Sequence, residues 1–101
     1  MKHCRTILEA KVQDFSALKY GTNPLERMEK LLEEVSELDE AVIAYQKSPT
    51  KKNFEKFKDE LGDSLFVLIS LVGIYGTNIG ELMENTMYKI KMRETDKNYK
   101  R

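Results

Sequence analysis

The helical spacing of apolar residues in two long segments constrains the fold of this 101-residue chain more than any other feature. In the first segment, apolar side chains recur at intervals of four, three and four residues, which places them on one face of an α-helix. They are Leu31, Val35, Leu38 and Val42. The same period continues through Phe54, Phe57, Leu61, Leu65, Leu68 and Val72. Strict alternation of apolar and polar residues is absent, so we predict an all-α protein.

Start and stop signals divide the chain into four predicted helices. Asn23-Pro24-Leu25-Glu26 combines a capping residue with a proline in the first turn and predicts a helix to about residue 46. Asn78-Ile79-Gly80-Glu81 predicts another that ends near residue 94. We expect the first helix over about residues 4–19. The third helix is expected to begin near residues 48–49 or slightly later. Together they form one domain over residues 1–101, with a polar tail from about residue 95.

One stretch of the third predicted helix is apolar on nearly every side. Residues 65–71 carry six apolar side chains and one serine. A helix that is apolar all round has to be buried all round, which four short helices achieve poorly by themselves. We therefore predict a four-helix bundle-type core that assembles as a homodimer or homotetramer.

Charge and cysteine content exclude several classes of protein. Seventeen basic residues balance seventeen acidic ones, so we expect no nucleic-acid partner. No apolar run approaches the ~18 residues of a membrane span, and we expect no membrane partner. The single cysteine, Cys4, cannot form an internal disulfide, which favours a cytoplasmic location. We interpret Cys4 and the neighbouring His3 as incidental.

Acidic and basic residues are nevertheless separated along the chain. Residues 25–40 contain seven acidic groups, and residues 87–101 contain six basic ones. This separation is compatible with a cation site in one region and an anion site in the other. It is equally compatible with two solvated helix faces of opposite sign.

Two pairs of carboxylates carry the chemistry that the sequence suggests. Glu34 and Glu37 are three residues apart on the second predicted helix, and Glu60 and Asp63 are three apart on the third. Residues at this spacing are neighbours on a helix surface, and each pair lies beside its apolar stripe. If the two helices form an antiparallel hairpin, both pairs face one cleft.

Four converging carboxylates repel one another unless a cation lies between them. Oxygen ligands alone favour Mg²⁺, with Mn²⁺ as a substitute. Zinc is disfavoured because no histidine or cysteine accompanies these residues. A di-iron centre needs Glu-x-x-His motifs, and the sole histidine is His3. The alternative is a solvated acidic face paired with Lys30, Lys56 and Lys58.

The residues around these pairs resemble a known family. Glu33-Glu34-Val35-Ser36-Glu37 followed, after twenty-two residues, by Glu60-Leu61-Gly62-Asp63 is similar to the paired motif of the MazG-like all-alpha nucleoside triphosphate pyrophosphohydrolases. The resemblance extends over about residues 23–95. It implies a four-helix core, an oligomer, and hydrolysis of (deoxy)nucleoside triphosphates to monophosphate and pyrophosphate as nucleotide-pool clean-up.

The resemblance also implies roles for particular residues. Glu34, Glu37, Glu60 and Asp63 match the metal ligands, and Glu33 matches a further catalytic acid. Lys89 and Arg93 match a basic pair that holds phosphate, and Asn85, one turn earlier, is a candidate to join them. The alternative is a basic last turn that interacts with the helix dipole. Larger members continue with a Pro-His segment, whereas this sequence ends soon after Arg93. Base contacts vary in the family, and Phe15, Tyr20 and Tyr88 are the stacking candidates. A place in the core or on the surface is the favoured alternative for each of them. A non-catalytic helical dimerisation module and a nucleotide-sensing module are the alternative functions.

Overall fold

The structure is a computed structural model, and it describes residues 4–95. This range consists of four α-helices and contains no β-strand, which confirms the predicted all-α class. The helices are α1 (Ile7–Tyr20), α2 (Pro24–Lys47), α3 (Lys51–Ile74) and α4 (Ile79–Glu94). His3 and most of the predicted polar tail lie outside the described residues.

The predicted start signals of α2 and α4 are confirmed. Asn23 Oδ1 accepts hydrogen bonds from the backbone nitrogens of Leu25 and Glu26, at 2.9 and 3.4 Å. Asn78 Oδ1 accepts from the backbone nitrogen of Glu81 at 2.9 Å. Both side chains satisfy amide donors that have no partner within the helix.

Threonines cap the other two helices. As a result α1 begins a few residues later than expected, whereas the start of α3 agrees with the expectation. Thr6 Oγ1 accepts from the Glu9 nitrogen at 3.1 Å, so α1 begins at Ile7. Thr50 Oγ1 accepts from the Asn53 nitrogen at 3.1 Å, so α3 begins at Lys51.

Helices α2 and α3 form a helical hairpin joined by residues 48–50. The side-chain amide of Asn53 donates a hydrogen bond from Nδ2 to the Ser48 carbonyl oxygen at 2.8 Å and closes the turn. Nearby, the rings of Tyr45 and Phe54 lie 5.4 Å apart. The hairpin brings the two carboxylate-bearing helices side by side.

Helix α1 packs against the second half of α3 through polar side chains. Gln13 and Ser16 from α1 and Ser70 from α3 are buried. Gly73 permits this approach, because a Cβ atom there would lie 2.7 Å from Gln13 Cγ. Glu9 Oε2 accepts from the Ile79 nitrogen at 2.8 Å, so α1 also holds the first residue of α4.

Helix α4 turns away from the rest of the chain. Its axis makes an angle of 97° with α3, and none of its residues is buried. The apolar positions of α4 are exposed to different degrees; they include Leu82, Met83, Met87 and Ile90. A four-helix bundle is therefore not closed within the described chain.

The all-round apolar stretch of α3 is covered on one side only. Val67 is 3% exposed, whereas Leu65 and Leu68 on other faces are 48% and 47% exposed. Within the described range no individual helix has the length and apolarity of a membrane span. Helices α3 and α4 reach that length and composition only when taken together across their bend.

Candidate active site

Three carboxylates from the α2–α3 hairpin converge. One oxygen from each of Glu34, Glu37 and Glu60 lies within 4.8 Å of the other two. Glu34 and Glu37 are neighbours on α2, and Glu60 faces them from α3. The hairpin therefore produces the cleft that the spacing predicted, with three of the four expected ligands in a single acidic centre.

Two of these carboxylates are buried, and only one oxygen of each has a partner. Glu34 is 7% exposed and Glu60 is 4% exposed. The Oε1 atom of Glu34 lies 3.1 Å from Lys30 Nζ, and that of Glu60 lies 2.7 Å from Lys56 Nζ. The Oε2 atom of each is buried without a hydrogen-bond partner. Buried polar atoms are nearly always paired, so two such oxygens in one cleft indicate a missing ligand.

Charge repulsion within the centre perturbs its titration. A hydrogen bond with Glu60 and the negative charges of Glu34 and Glu60 raise the pKa of Glu37. The hydrogen bond from Lys56 lowers the pKa of Glu60. The two carboxylates therefore titrate in opposite directions from an isolated glutamate, with a raised pKa for Glu37 and a lowered pKa for Glu60.

Asp63 and Glu33, the remaining predicted site acids, lie outside the three-carboxylate group. Asp63 is outside the three-carboxylate group, but partial desolvation followed by the charges of Glu34 and Glu60 raises its pKa. It also lines a cavity together with Glu34. Glu33 is exposed and lies outside the group. Asp63 therefore lies near Glu34 without joining the three converging carboxylates.

A cavity lies on each side of the acidic centre. The first has a volume of about 290 Å³ and is lined by Tyr20, Arg27, Lys30, Glu34, Asp63, Phe66 and Val67. The second has a volume of about 370 Å³ and is lined by Glu37, Glu40, Ala41, Ala44 and Lys56. Both are open clefts rather than enclosed holes, which is typical of sites that admit a polar ligand.

Sequence reasoning missed part of the first cavity. Tyr20 was a stacking candidate, but Arg27 and Phe66 had no predicted role. The available signal is the spacing of Arg27, Lys30 and Glu34, which are three and four residues apart and share one face of α2. Phe15, the other candidate on α1, lies behind the cavity, with its ring centroid 6.2 Å from that of Phe66.

The predicted phosphate-binding group is not brought to the acidic centre. Lys89, Arg93 and Asn85 lie exposed on α4, as does Tyr88. The helical rise gives ~21 Å from Glu60 to Ile74 and ~15 Å from Ile79 to Lys89. At an angle of 97° between the two helices, Glu60 and Lys89 are separated by roughly 25 Å within one chain.

The chemistry of the donor set suits a hard divalent cation. All the converging ligand atoms are carboxylate oxygens, and two buried ones have no other partner. The alternative of an acidic face with lysine partners is correct for Lys30 and Lys56, whereas Lys58 pairs with Glu55 at 3.1 Å. Those pairs occupy only one oxygen of each buried glutamate, so they do not explain the other.

Comparisons with known proteins agree with this geometry. Residues 22–97 match the model of the MazG nucleotide pyrophosphohydrolase domain. The chain is 32% identical over 78 residues to the uncharacterized protein YpjD of Bacillus subtilis (strain 168), an alignment that covers 74% of this chain and 70% of that protein. No solved structure matches the chain. Because the domain match spans most of the sequence, including both carboxylate-bearing helices, the chain belongs to the MazG nucleotide pyrophosphohydrolase family.

Proposed function

We propose that this protein hydrolyses nucleoside or deoxynucleoside triphosphates to the monophosphate and pyrophosphate in a Mg²⁺-dependent reaction. The observation that carries the proposal is a buried, unpartnered oxygen on each of Glu34 and Glu60, two glutamates whose carboxylates converge across the hairpin. Glu34 also lines an open cavity. The cellular role that fits this activity is removal of unwanted nucleotides from the cytoplasmic pool.

The acidic centre would hold the metal ion. Glu34, Glu37 and Glu60 provide converging oxygens, and Asp63 is the adjacent fourth ligand. Magnesium suits this set, with Mn²⁺ as a substitute, because both favour oxygen ligands. When bound, the cation supplies positive charge that offsets the charge developing on the phosphate oxygens in the transition state.

The residues of the chain orient the groups that react. Lys30 and Lys56 each hold one oxygen of a buried glutamate, which leaves the other oxygen without a hydrogen-bond partner and available to a cation. A water molecule attacks the α-phosphorus, and the bond from that phosphorus to the bridging oxygen breaks as pyrophosphate leaves. Exposed Glu33, next to Glu34, is the carboxylate that orients this water and accepts its proton.

We propose that a second copy of the chain covers the exposed apolar faces, giving a homodimer or, through repetition, a homotetramer. The radius of gyration is 16.5 Å, compared with about 13 Å for a compact domain of 100 residues. The half-exposed leucines of α3 and the unburied helix α4 supply the apolar area that such an interface needs.

The second copy also supplies a route for Lys89 and Arg93 to reach substrate. Neither side chain spans roughly 25 Å to the centre of its own chain, whereas α4 packed on a neighbour can present both to the neighbour's acidic centre. Cationic side chains there would hold the triphosphate of a nucleotide substrate. Asn85 lies one turn earlier on the same helix and would join them.

Mixed oligomers test this arrangement. Glu37→Gln and the double variant Lys89→Ala/Arg93→Ala should each lose turnover, while the double variant keeps its response to Mg²⁺. If the basic pair acts on the partner, a co-refolded equal mixture should recover about a quarter of wild-type activity, because half the dimers contain one intact site of two. No recovery would show that both lesions affect the same chain's site, and unchanged kinetics in the double variant would assign Lys89 and Arg93 to the ordinary charged surface.

A panel of nucleoside triphosphates with Mg²⁺, analysed by anion-exchange chromatography, tests the proposed reaction. Monophosphate plus pyrophosphate is the expected result. Diphosphate plus orthophosphate would contradict it. Tight binding without turnover across the panel would favour a nucleotide-sensing module, and neither binding nor turnover would favour a non-catalytic helical dimerisation module.

A further inference from the structure

The cavity on the Arg27 side of the acidic centre is lined by side chains that binding of a metal ion and phosphate groups does not require. Glu34 and Asp63 belong to the centre, but Tyr20, Arg27 and Phe66 add aromatic rings and a planar cation. The cavity on the other side is lined by alanines and charged residues without an aromatic ring. Of the two, only the first is equipped for a flat and partly apolar group.

Tyr20, Arg27 and Phe66 form an ordered stack rather than a loose lining. The guanidinium carbon of Arg27 lies 4.8 Å from the centroid of the Tyr20 ring. The Phe66 ring stands against Tyr20 at 84°, with the two centroids 6.3 Å apart. Phe15 supports Phe66 from behind with a second edge-on contact. These contacts limit the rotation of Arg27 and hold its plane in the cavity.

Arg27 has unused hydrogen-bonding capacity. Its Nε atom is buried and has no hydrogen-bond partner. Among the described residues Arg27 forms no ion pair, although Glu34 and Asp63 line the same cavity and Lys30 pairs with Glu34. A buried donor without a partner is unfavourable, so an acceptor on a ligand would stabilise this arrangement.

We propose that this cavity is the nucleobase subsite of the acidic centre, with the Arg27–Tyr20 stack as the platform for the base. This inference rests on the proposed function. Bases stack on guanidinium planes as well as on aromatic rings, and arginine donors match the carbonyl and ring-nitrogen acceptors of a base edge. Arg27 and Glu34 are two helical turns apart, ~10 Å along α2. A nucleoside on Arg27 therefore bridges that span and places its α-phosphate at the centre.

Two substitutions of Arg27 separate base recognition from phosphate binding. Arg27→Lys keeps the charge and removes the plane, whereas Arg27→Gln removes the charge and keeps a planar amide. The ligands are an α,β-methylene nucleoside triphosphate analogue and inorganic tripolyphosphate, both measured by calorimetry with Mg²⁺. Because stacking is lost, Arg27→Lys should bind the analogue about tenfold more weakly than the wild type does. Tripolyphosphate, which has no base, should bind as it does to the wild type.

Tyr20→Leu is a second variant, which removes the aromatic ring that supports the Arg27 guanidinium. Tyr75→Leu is its matched control. Tyr75 is an exposed tyrosine at the end of α3 that does not line the cavity. We expect Tyr20→Leu to weaken the analogue selectively and Tyr75→Leu to have no effect. Circular dichroism and thermal melting confirm that each variant folds.

Three results would overturn the subsite. Arg27→Lys could retain analogue binding while Arg27→Gln weakens both ligands, which would make Arg27 a phosphate anchor. Wild-type protein could bind the analogue and tripolyphosphate equally tightly. Tyr20→Leu could weaken both ligands to the same extent.

Turnover of the nucleotide panel by the same preparations distinguishes this inference from the proposed function. Wild-type turnover with an unchanged KM in Arg27→Lys contradicts the subsite alone. The opposite outcome is that the wild type hydrolyses no triphosphate while Arg27→Lys still loses binding of the analogue selectively. That result supports the subsite and contradicts the proposed hydrolysis.

Discussion

The α2–α3 hairpin and helix α4 differ in how far contacts within one chain bury their side chains and provide them with partners. In the hairpin, Glu34 and Glu60 are buried and each has a lysine partner on its own helix. In α4, no residue is buried, although the helix carries apolar side chains at regular intervals. The hairpin also carries the densest acidic segment, whereas α4 has two basic residues, Lys91 and Arg93, in its last turn. The difference fits the proposed assembly, in which one chain would form the metal-binding half of a site and present the anion-binding half to a neighbour.

The largest expected effect is the loss of turnover on removing a carboxylate of the hairpin. Glu37→Gln should lower kcat/KM by at least about a hundredfold, since even outer-shell changes at metal sites cost 10–100-fold. Asp39→Asn, an exposed acid on the same helix, is the matched control and should retain activity. Steady-state kinetics with saturating Mg²⁺ measures both. Equal activity in the two variants would remove any functional distinction between the acidic centre and the ordinary acidic surface.

A second prediction concerns the uncovered side of α3. Leu68→Glu places a charge at a half-exposed position that we expect to lie against a second copy, so it should convert the oligomer to monomer. Lys52→Glu adds the same side chain to the polar first turn of α3 and should leave the oligomer intact. Light scattering at micromolar concentration compares the two. A monomeric wild-type protein would contradict the proposed assembly and the sharing of α4.

A smaller effect is expected in the pH dependence of metal-free stability. The pKa values of Glu37 and Asp63 are raised in the folded protein. A raised carboxylate pKa gives stability that is present below the unfolded pKa and is lost as pH rises through the folded pKa. Stability should therefore fall as pH rises above the ordinary carboxylate range of about 4. The lowered pKa of Glu60 acts below that range and in the opposite sense.

Thermal melts in the presence of a chelator at a series of pH values check this dependence. Asp63→Asn should show a shallower fall than wild type, because one of the two repelled carboxylates is absent. Identical profiles for the two proteins would indicate that Asp63 does not interact with the centre.

Local chemistry explains which features were predictable from the sequence. Asn23 and Asn78 cap their helices as expected because the capping bond is formed within three residues of the cap. The convergence of Glu34, Glu37 and Glu60 was predictable since helical spacing and a short connection fix both faces of the hairpin. The capping roles of Thr6 and Thr50 are not predicted, and α1 begins a few residues after its expected start, whereas α3 begins where expected.

Features that depend on tertiary packing were not predictable. The right-angle turn before α4 depends on Glu9, seventy residues earlier, which binds the Ile79 amide. The stack of Arg27 on Tyr20 depends on the angle at which α1 and α2 meet at residues 21–23. Periodicity places residues on the face of one helix, but it carries no information about crossing angles between helices.

The most direct test of the central claim is a set of thermal melts of wild type, Glu37→Gln and Asp63→Asn, each with chelator and with Mg²⁺. If the carboxylates form one metal centre, both metal-free variants melt at or above the wild-type temperature, because a repelling charge has been removed. Magnesium then stabilises the wild type, since it binds only the folded state, and stabilises the variants much less. If all three proteins melt alike and do not respond to Mg²⁺, the shared metal centre does not exist.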